Sequence, residues 1–191
     1  MAILNAILQD KKKINLVGFS RGAVIIIQIV NYLQSMQDKY WNTLKDNPSY
    51  LDNLTADAFY NQILMCGKQG RVTTLGGWIR NRIDCSKDSI ISMLKKPHNL
   101  QKIANFFSSP DIELSMFCLD PVQGPKWNHP YHFRIPKMVK NIEIVYHEDE
   151  RSYGFNPLHP IANQETFSSY LHIPGFHGML VCQSFCKFRK V

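Results

Sequence analysis

The stretch Ile14-Asn15-Leu16-Val17-Gly18-Phe19-Ser20-Arg21-Gly22-Ala23 decides the fold. Its first six residues are a short apolar run of strand length and read as a buried strand. From Arg21 to about Lys39 the chain is mostly aliphatic and long enough for a helix of several turns. The β-branched run Val24-Ile25-Ile26-Ile27 is intrinsically poor for helix, so burial has to impose that conformation. Between strand and helix lies Gly18-Phe19-Ser20-Arg21-Gly22, a G-x-S-x-G sequence. In this setting the turn is expected to hold Ser20 in a strained conformation with its hydroxyl exposed, while the flanking glycines let the two backbones pass closely. The competing interpretation of the same letters is an ordinary strand-to-helix turn with a capping serine.

Outward from the elbow, Ile3, Leu4, Ile7 and Leu8 recur at helical spacing, so residues Ala2 to Leu8 read as the end of an amphipathic helix. The densest basic run, Lys11-Lys12-Lys13, falls where that helix should give way to the strand, a place where the helix dipole favours cations. From roughly Asp38 to Pro110 there is no strong strand run. Helix-like segments at Asn53 to Leu64 and Lys87 to Phe107 are separated by Gly67, Gly70, Gly76 and Gly77, which makes residues 38–110 a mainly helical insertion or lid. After Ile112 the pattern changes to strand-length runs at Glu113 to Leu119 and Asn141 to Tyr146, with a third candidate at Thr166 to Ile173. Turn chemistry follows each, at Pro121, Asn156-Pro157 and Pro174-Gly175. The expected class is α/β, a mostly parallel sheet with flanking helices.

Composition narrows the function classes. The chain has 191 residues, 45% hydrophobic and 19% charged, which suits one domain or a domain plus an insertion and excludes a disordered or collagen-like chain. Lys and Arg number 22 against 15 acidic residues, a net charge of +7, but they are scattered. A solvated surface with at most transient contact to anionic membrane fits this better than nucleic-acid binding. The longest apolar stretch, Gly22 to Leu33, is too short to span a bilayer. Met1-Ala2-Ile3-Leu4 lacks the basic leader of a signal peptide, so the expected location is the cytoplasm or export by a specialised secretion system. Five cysteines with no C-x-x-C pair read as buried or free thiols, not a disulfide framework or zinc site.

A serine hydroxyl is a weak nucleophile and needs a base, usually histidine, oriented by a carboxylate. Asp120 ends the Leu114 to Leu119 run, and His177 lies in Pro174-Gly175-Phe176-His177-Gly178 after the last strand candidate. The order Ser20, Asp120, His177 matches the nucleophile, acid, base order that goes with a G-x-S-x-G elbow. Taken singly, Asp120 could cap the turn before Pro121 and His177 could be a packed histidine. Glu148 and Asp149, with Glu150, follow the Ile142 to Tyr146 run and are reserve candidates for the acid, or a solvated turn pairing with Arg151. His129-Pro130-Tyr131-His132 is a weaker metal candidate, since a Pro-rich loop does not align its imidazoles. Trp41, Trp78, Trp127 and Phe106-Phe107 could line an acyl pocket or lid, or simply be core.

The elbow segment Ile14 to Ala23 resembles the nucleophile segment of the α/β hydrolase family that includes the type VI secretion phospholipase effectors and related uncharacterised proteins. Three more blocks agree in order. Met116-Phe117-Cys118-Leu119-Asp120-Pro121-Val122 is similar to the family's apolar strand ending in Asp-Thr-Val, with Pro121 in place of Thr. His147-Glu148-Asp149-Glu150-Arg151 with Phe155-Asn156-Pro157 is similar to its acidic Asp-Glu-Arg segment and trailing Phe-x-Pro, and Pro174 to Gly178 to its Pro-Gly-x-His loop. Carried over position by position, the resemblance implies Ser20 as nucleophile, Asp120 as orienting acid, His177 as general base, and the Arg21 amide as one oxyanion donor. It also implies a lipid or phospholipid ester substrate and no cofactor.

Two departures shape the remaining expectations. The family carries earlier strands with an Asp-Gly-Thr segment, and its second oxyanion donor normally comes from that portion, whereas this chain reaches its elbow strand at Ile14. After His177 the family has Asp-x-Gly-Gly-Gly, while here Met179-Leu180-Val181-Cys182 and a basic tail follow. The expectation is a single, incomplete α/β hydrolase domain whose sheet a partner or a further segment completes. The alternative from another class is a non-catalytic hydrolase-fold remnant or secreted interaction module.

Overall fold

The computed structural model describes residues 2–64, 87–108, 112–122, 134–149, 157–175 and 177. The chain divides into two units, Asn15–Asn31 with Glu113–Val191, and Met1–Ile14 with Tyr32–Ile112.

The first of these holds the sheet. Strands β1 (Lys13–Phe19), β2 (Glu113–Leu119), β4 (Val139–His147) and β6 (Phe167–Ile173) form four neighbours in the order β1-β2-β4-β6, and the short β3 (Arg134–Ile135) and β5 (Ile161–Ala162) pair separately. β2 runs parallel to β4 in a register that sets Leu119 against Val145, and β4 runs parallel to β6 with His147 against Ile173. Along β2 the two-residue period is plain: Leu114, Met116 and Cys118 are buried while their neighbours are partly exposed. β4 has a partner on each side and buries Ile142, Ile144 and Tyr146. The end strands are wetter. Val17 of β1 is 65% exposed and Phe167 of β6 67% exposed, so β1 is a half-buried strand at the end of the sheet and not the fully buried one its composition suggests. Full burial of a strand requires neighbours on both sides and cover on both faces, which composition alone does not specify.

Helix α2 (Arg21–Asp46) leaves the elbow and runs a full two turns past Lys39. Ala23, Val24, Ile27 and Val30 share one face and are completely buried. That stripe is what overrides the poor helix propensity of its β-branched residues.

In the other unit, α1 (Ala2–Leu8) buries Ile3 and Ile7, as its spacing predicts. Lys11 to Lys13 fall where α1 gives way to β1, as expected, with the Lys11 N–H donating to the Ala6 carbonyl at 3.0 Å, and Lys102 adds a further cation at the helix C-terminal end. The Lys102 ammonium donates to the Leu8 carbonyl at 3.2 Å and to the Asp10 carboxylate at 2.5 Å. Tyr40, Phe59 and Phe107 form the aromatic centre, with ring centroids 6.1–6.3 Å apart and no exposure. Phe107 is therefore core, with Phe106 edge-on beside it, and Trp41 is half exposed. The Lys87 to Phe107 stretch is broken into helices Lys87–Leu94 and Asn99–Ser108. Pro97 lacks the amide proton a helix needs, and His98 at φ 64° turns the chain into the next helix. The Asn53 to Leu64 stretch becomes helical only from Ala56, where the Thr55 hydroxyl accepts the Ala58 N–H, and ends in a π turn at Tyr60–Leu64. Residues 65–86, with Trp78, Cys66 and Cys85, lie outside the described residues, as do Trp127, Cys182, Cys186 and the His129 to His132 loop. Among the described residues no helix is long and apolar enough to cross a membrane.

Candidate active site

The elbow forms where β1 ends and α2 begins. Ser20 stands between them at φ 56°, in the left-handed region, with its carbonyl accepting the Ala23 and Val24 amides of the first turn of α2. The two glycines of the motif are not equivalent. A Cβ on Gly18 would meet the Ala23 backbone at 2.6 Å, whereas one on Gly22 would meet nothing within 4 Å. The close strand–helix crossing therefore depends on Gly18 alone, which corrects the expectation that both flanking glycines are required. The Ser20 hydroxyl is not spent on capping; its Oγ lies 2.7 Å from His177 Nε2. Arg21, the first helical residue, is among those whose N–H has no partner within the helix.

Asp120 follows β2 and, like Ser20, has a positive φ of 44°. The Asp120 N–H donates to the Val145 carbonyl at 2.6 Å, which ties the turn to β4. Its carboxylate is buried, 2% exposed, and Oδ2 lies 2.5 Å from His177 Nδ1. A carboxylate only accepts, so the His177 imidazole carries its proton on Nδ1 and presents Nε2 to the serine hydroxyl as an acceptor. The imidazole is further fixed by Phe19, whose ring stacks on it at 4.8 Å and 21°. Ser20, Asp120 and His177, chosen from the sequence, are thus joined by one hydrogen-bond relay.

The reserve acids do something else. Glu148 and Asp149 are exposed at the tip of β4, and Asp149 Oδ2 accepts the Gly175 N–H at 2.8 Å while the Asp149 N–H donates to the Gly175 carbonyl at 3.2 Å. Asp149 clamps the loop that carries His177, two residues ahead of it. Gly175 sits at φ 125°, a conformation that L side chains rarely adopt. Glu150 and Arg151 lie outside the described residues.

Sequence reasoning missed His147. The last residue of β4, 6% exposed, directs Nδ1 to Asp120 Oδ2 at 3.1 Å and its main-chain N–H to Asp120 Oδ1 at 3.5 Å. No local signal marked it: that a histidine ending one strand-length run meets Asp120 at the end of another follows only from the pairing of β2 with β4. Although an aspartate with two histidines could suggest a metal centre, here both Nδ1 atoms converge on the carboxylate. Among the described residues no group of three His, Cys, Asp or Glu side chains is arranged to hold a metal ion. Burial also marks the strand interiors behind the site, pushing the Cys118 thiol up to about 12 and raising the Tyr146 hydroxyl, which donates to the Leu158 carbonyl at 2.9 Å.

No protein-family model matches the chain, and no curated protein matches it.

Proposed function

We propose that the chain is a serine hydrolase of carboxylic esters, with lipid or phospholipid acyl esters as the substrate class. The observation that carries this reading is the relay from Ser20 Oγ through the His177 ring to Asp120 Oδ2, with spans of 2.7 and 2.5 Å. His177 Nε2 takes the hydroxyl proton as Ser20 Oγ attacks the ester carbonyl, and the Arg21 N–H donates to the oxyanion. Collapse of the tetrahedral adduct expels the alcohol, which receives the proton from His177 and leaves an acyl-serine. Water, deprotonated by the same imidazole, then releases the acid and restores Ser20. Asp120 keeps the imidazole in the required tautomer and stabilises its charge. The resemblance to the α/β hydrolase family of the secreted phospholipase effectors supports the lipid class, and the net charge of +7 suits transient contact with an anionic lipid surface.

The test is labelling of the full chain by a fluorophosphonate probe. Labelling that is lost in Ser20→Ala and weakened in His177→Ala supports the reading. A folded wild type that takes no label, or labelling that persists in Ser20→Ala, overturns it. The second reading, a non-catalytic hydrolase-fold module completed by a partner, is favoured by Val17, an apolar residue 65% exposed on the end strand β1.

A further inference from the structure

We propose that His147 is a positioning residue of this site, holding the Asp120 carboxylate in the plane that serves His177; this rests on the serine hydrolase reading. Asp120 stands on a turn after β2, where rotation about its terminal side-chain bond would swing either oxygen toward His177. His147 removes that freedom from the neighbouring strand. Its main-chain N–H addresses Oδ1 at 3.5 Å and its ring Nδ1 addresses Oδ2 at 3.1 Å, so both oxygens are engaged from β4. Main chain and side chain of one residue thereby grip one carboxylate, and the register of β2 on β4, Leu119 against Val145, brings them to the same level.

Burial makes the grip necessary. Asp120 and His147 are 2% and 6% exposed, so bulk water is poorly placed to stand in for a missing donor. A buried ionised carboxylate left with one partner is destabilised and free to reorient. With His147 in place, Oδ2 has two N–H donors, and only the His177 ring passes the interaction on to Ser20. His147 itself reaches the relay through Asp120, which is why its role is positioning.

The test compares His147→Asn with His147→Gln in the full chain. Asparagine sets an amide donor near the position of Nδ1, while glutamine sets it near Nε2, away from Asp120, at nearly equal polarity. Two readouts are taken: hydrolysis of a p-nitrophenyl ester, and the downfield proton resonance of His177 Nδ1–H. His147→Gln is expected to lower kcat roughly 10- to 100-fold at unchanged KM, the loss set by one charge-assisted hydrogen bond. It should also shift or broaden the His177 resonance, and His147→Asn should restore most of both. Equal behaviour of the two variants, or a His177 resonance that neither moves, overturns the proposal. The resonance is read in the resting protein, so a chain that proves inert toward esters but loses this signal only in His147→Gln would sink the hydrolase reading and leave the anchoring role standing.

Discussion

The Ser20 N–H donates to the carbonyl of Leu119 at 2.9 Å, joining the elbow to the residue just before Asp120. The same step repeats across the sheet. Asp120 N–H donates to Val145 O at 2.6 Å, and Glu148 N–H to Ile173 O at 3.1 Å. Each residue that leaves a strand is tied to the end of the next, so the strand tips form a continuous main-chain staircase. Ser20, Asp120 and His147 stand on it, and His177 follows its last strand by four residues, at the strand ends where open α/β sheets bind their ligands.

The motif glycines should respond oppositely to alanine. Gly18→Ala drives a Cβ into the Ala23 backbone and is expected to lower stability by about 2–3 kcal/mol. Gly22→Ala meets open space within a helix and should raise it by up to about 1 kcal/mol. Urea unfolding of the two variants checks this, and equal midpoints would show that Gly18 is not the crossing point.

Ser20 pays for its position in backbone strain. Ser20→Gly relieves the positive φ and should stabilise the fold by about 1 kcal/mol, a rise in melting temperature of roughly 2–4 °C, while removing all fluorophosphonate labelling. Calorimetry beside labelling tests both halves; a less stable Ser20→Gly protein would mean the turn is not strained.

The two carboxylates near the site should separate in kinetics. Asp120→Asn replaces the acceptor on His177 Nδ1 and is expected to lower kcat by about 10⁴. Asp149→Asn only weakens the clamp on Gly175 and should cost no more than about tenfold. Ester hydrolysis by the two variants decides it, and the reverse order would move the acid role to Asp149.

Alkaline stability should report Cys118. Its thiol, with an ordinary value of 9.0, is pushed up to about 12 by burial. Between those values the unfolded chain has lost a proton that the folded chain keeps. Stability therefore falls as pH rises through this window, by up to about 1.4 kcal/mol per pH unit, and the contribution is complete below the unfolded value. Tyr146, raised chiefly by burial, adds in the same direction above its ordinary 10.0. Denaturant midpoints measured from neutral to alkaline pH should fall less steeply in Cys118→Ala than in wild type. Parallel curves would show that the thiol titrates normally.

The sequence by itself determined what neighbouring residues control. The apolar run before Ser20 and the small residues around it specify a strand, a tight turn and a helix. Likewise Asp120 and His177 could be chosen because each follows a strand-length run, and the three side chains do meet. Helix α2 was legible in outline from an aliphatic run long enough for several turns, while the burial of Ala23, Val24, Ile27 and Val30 that imposes the helix through its β-branched residues came from the structure. Only the tertiary structure decided the rest. Hydrophobic pattern marks which face of a strand is buried but not its place in the sheet, so it missed that β1 lies at an end and leaves Val17 exposed. It left open, too, which carboxylate meets His177 and which meets Gly175, and gave no sign of His147 on Asp120. Those contacts link residues 26 to 57 positions apart and are set by strand order and register. A shift of one residue in register would turn His147 to the opposite face, which is why no local signal carries its role.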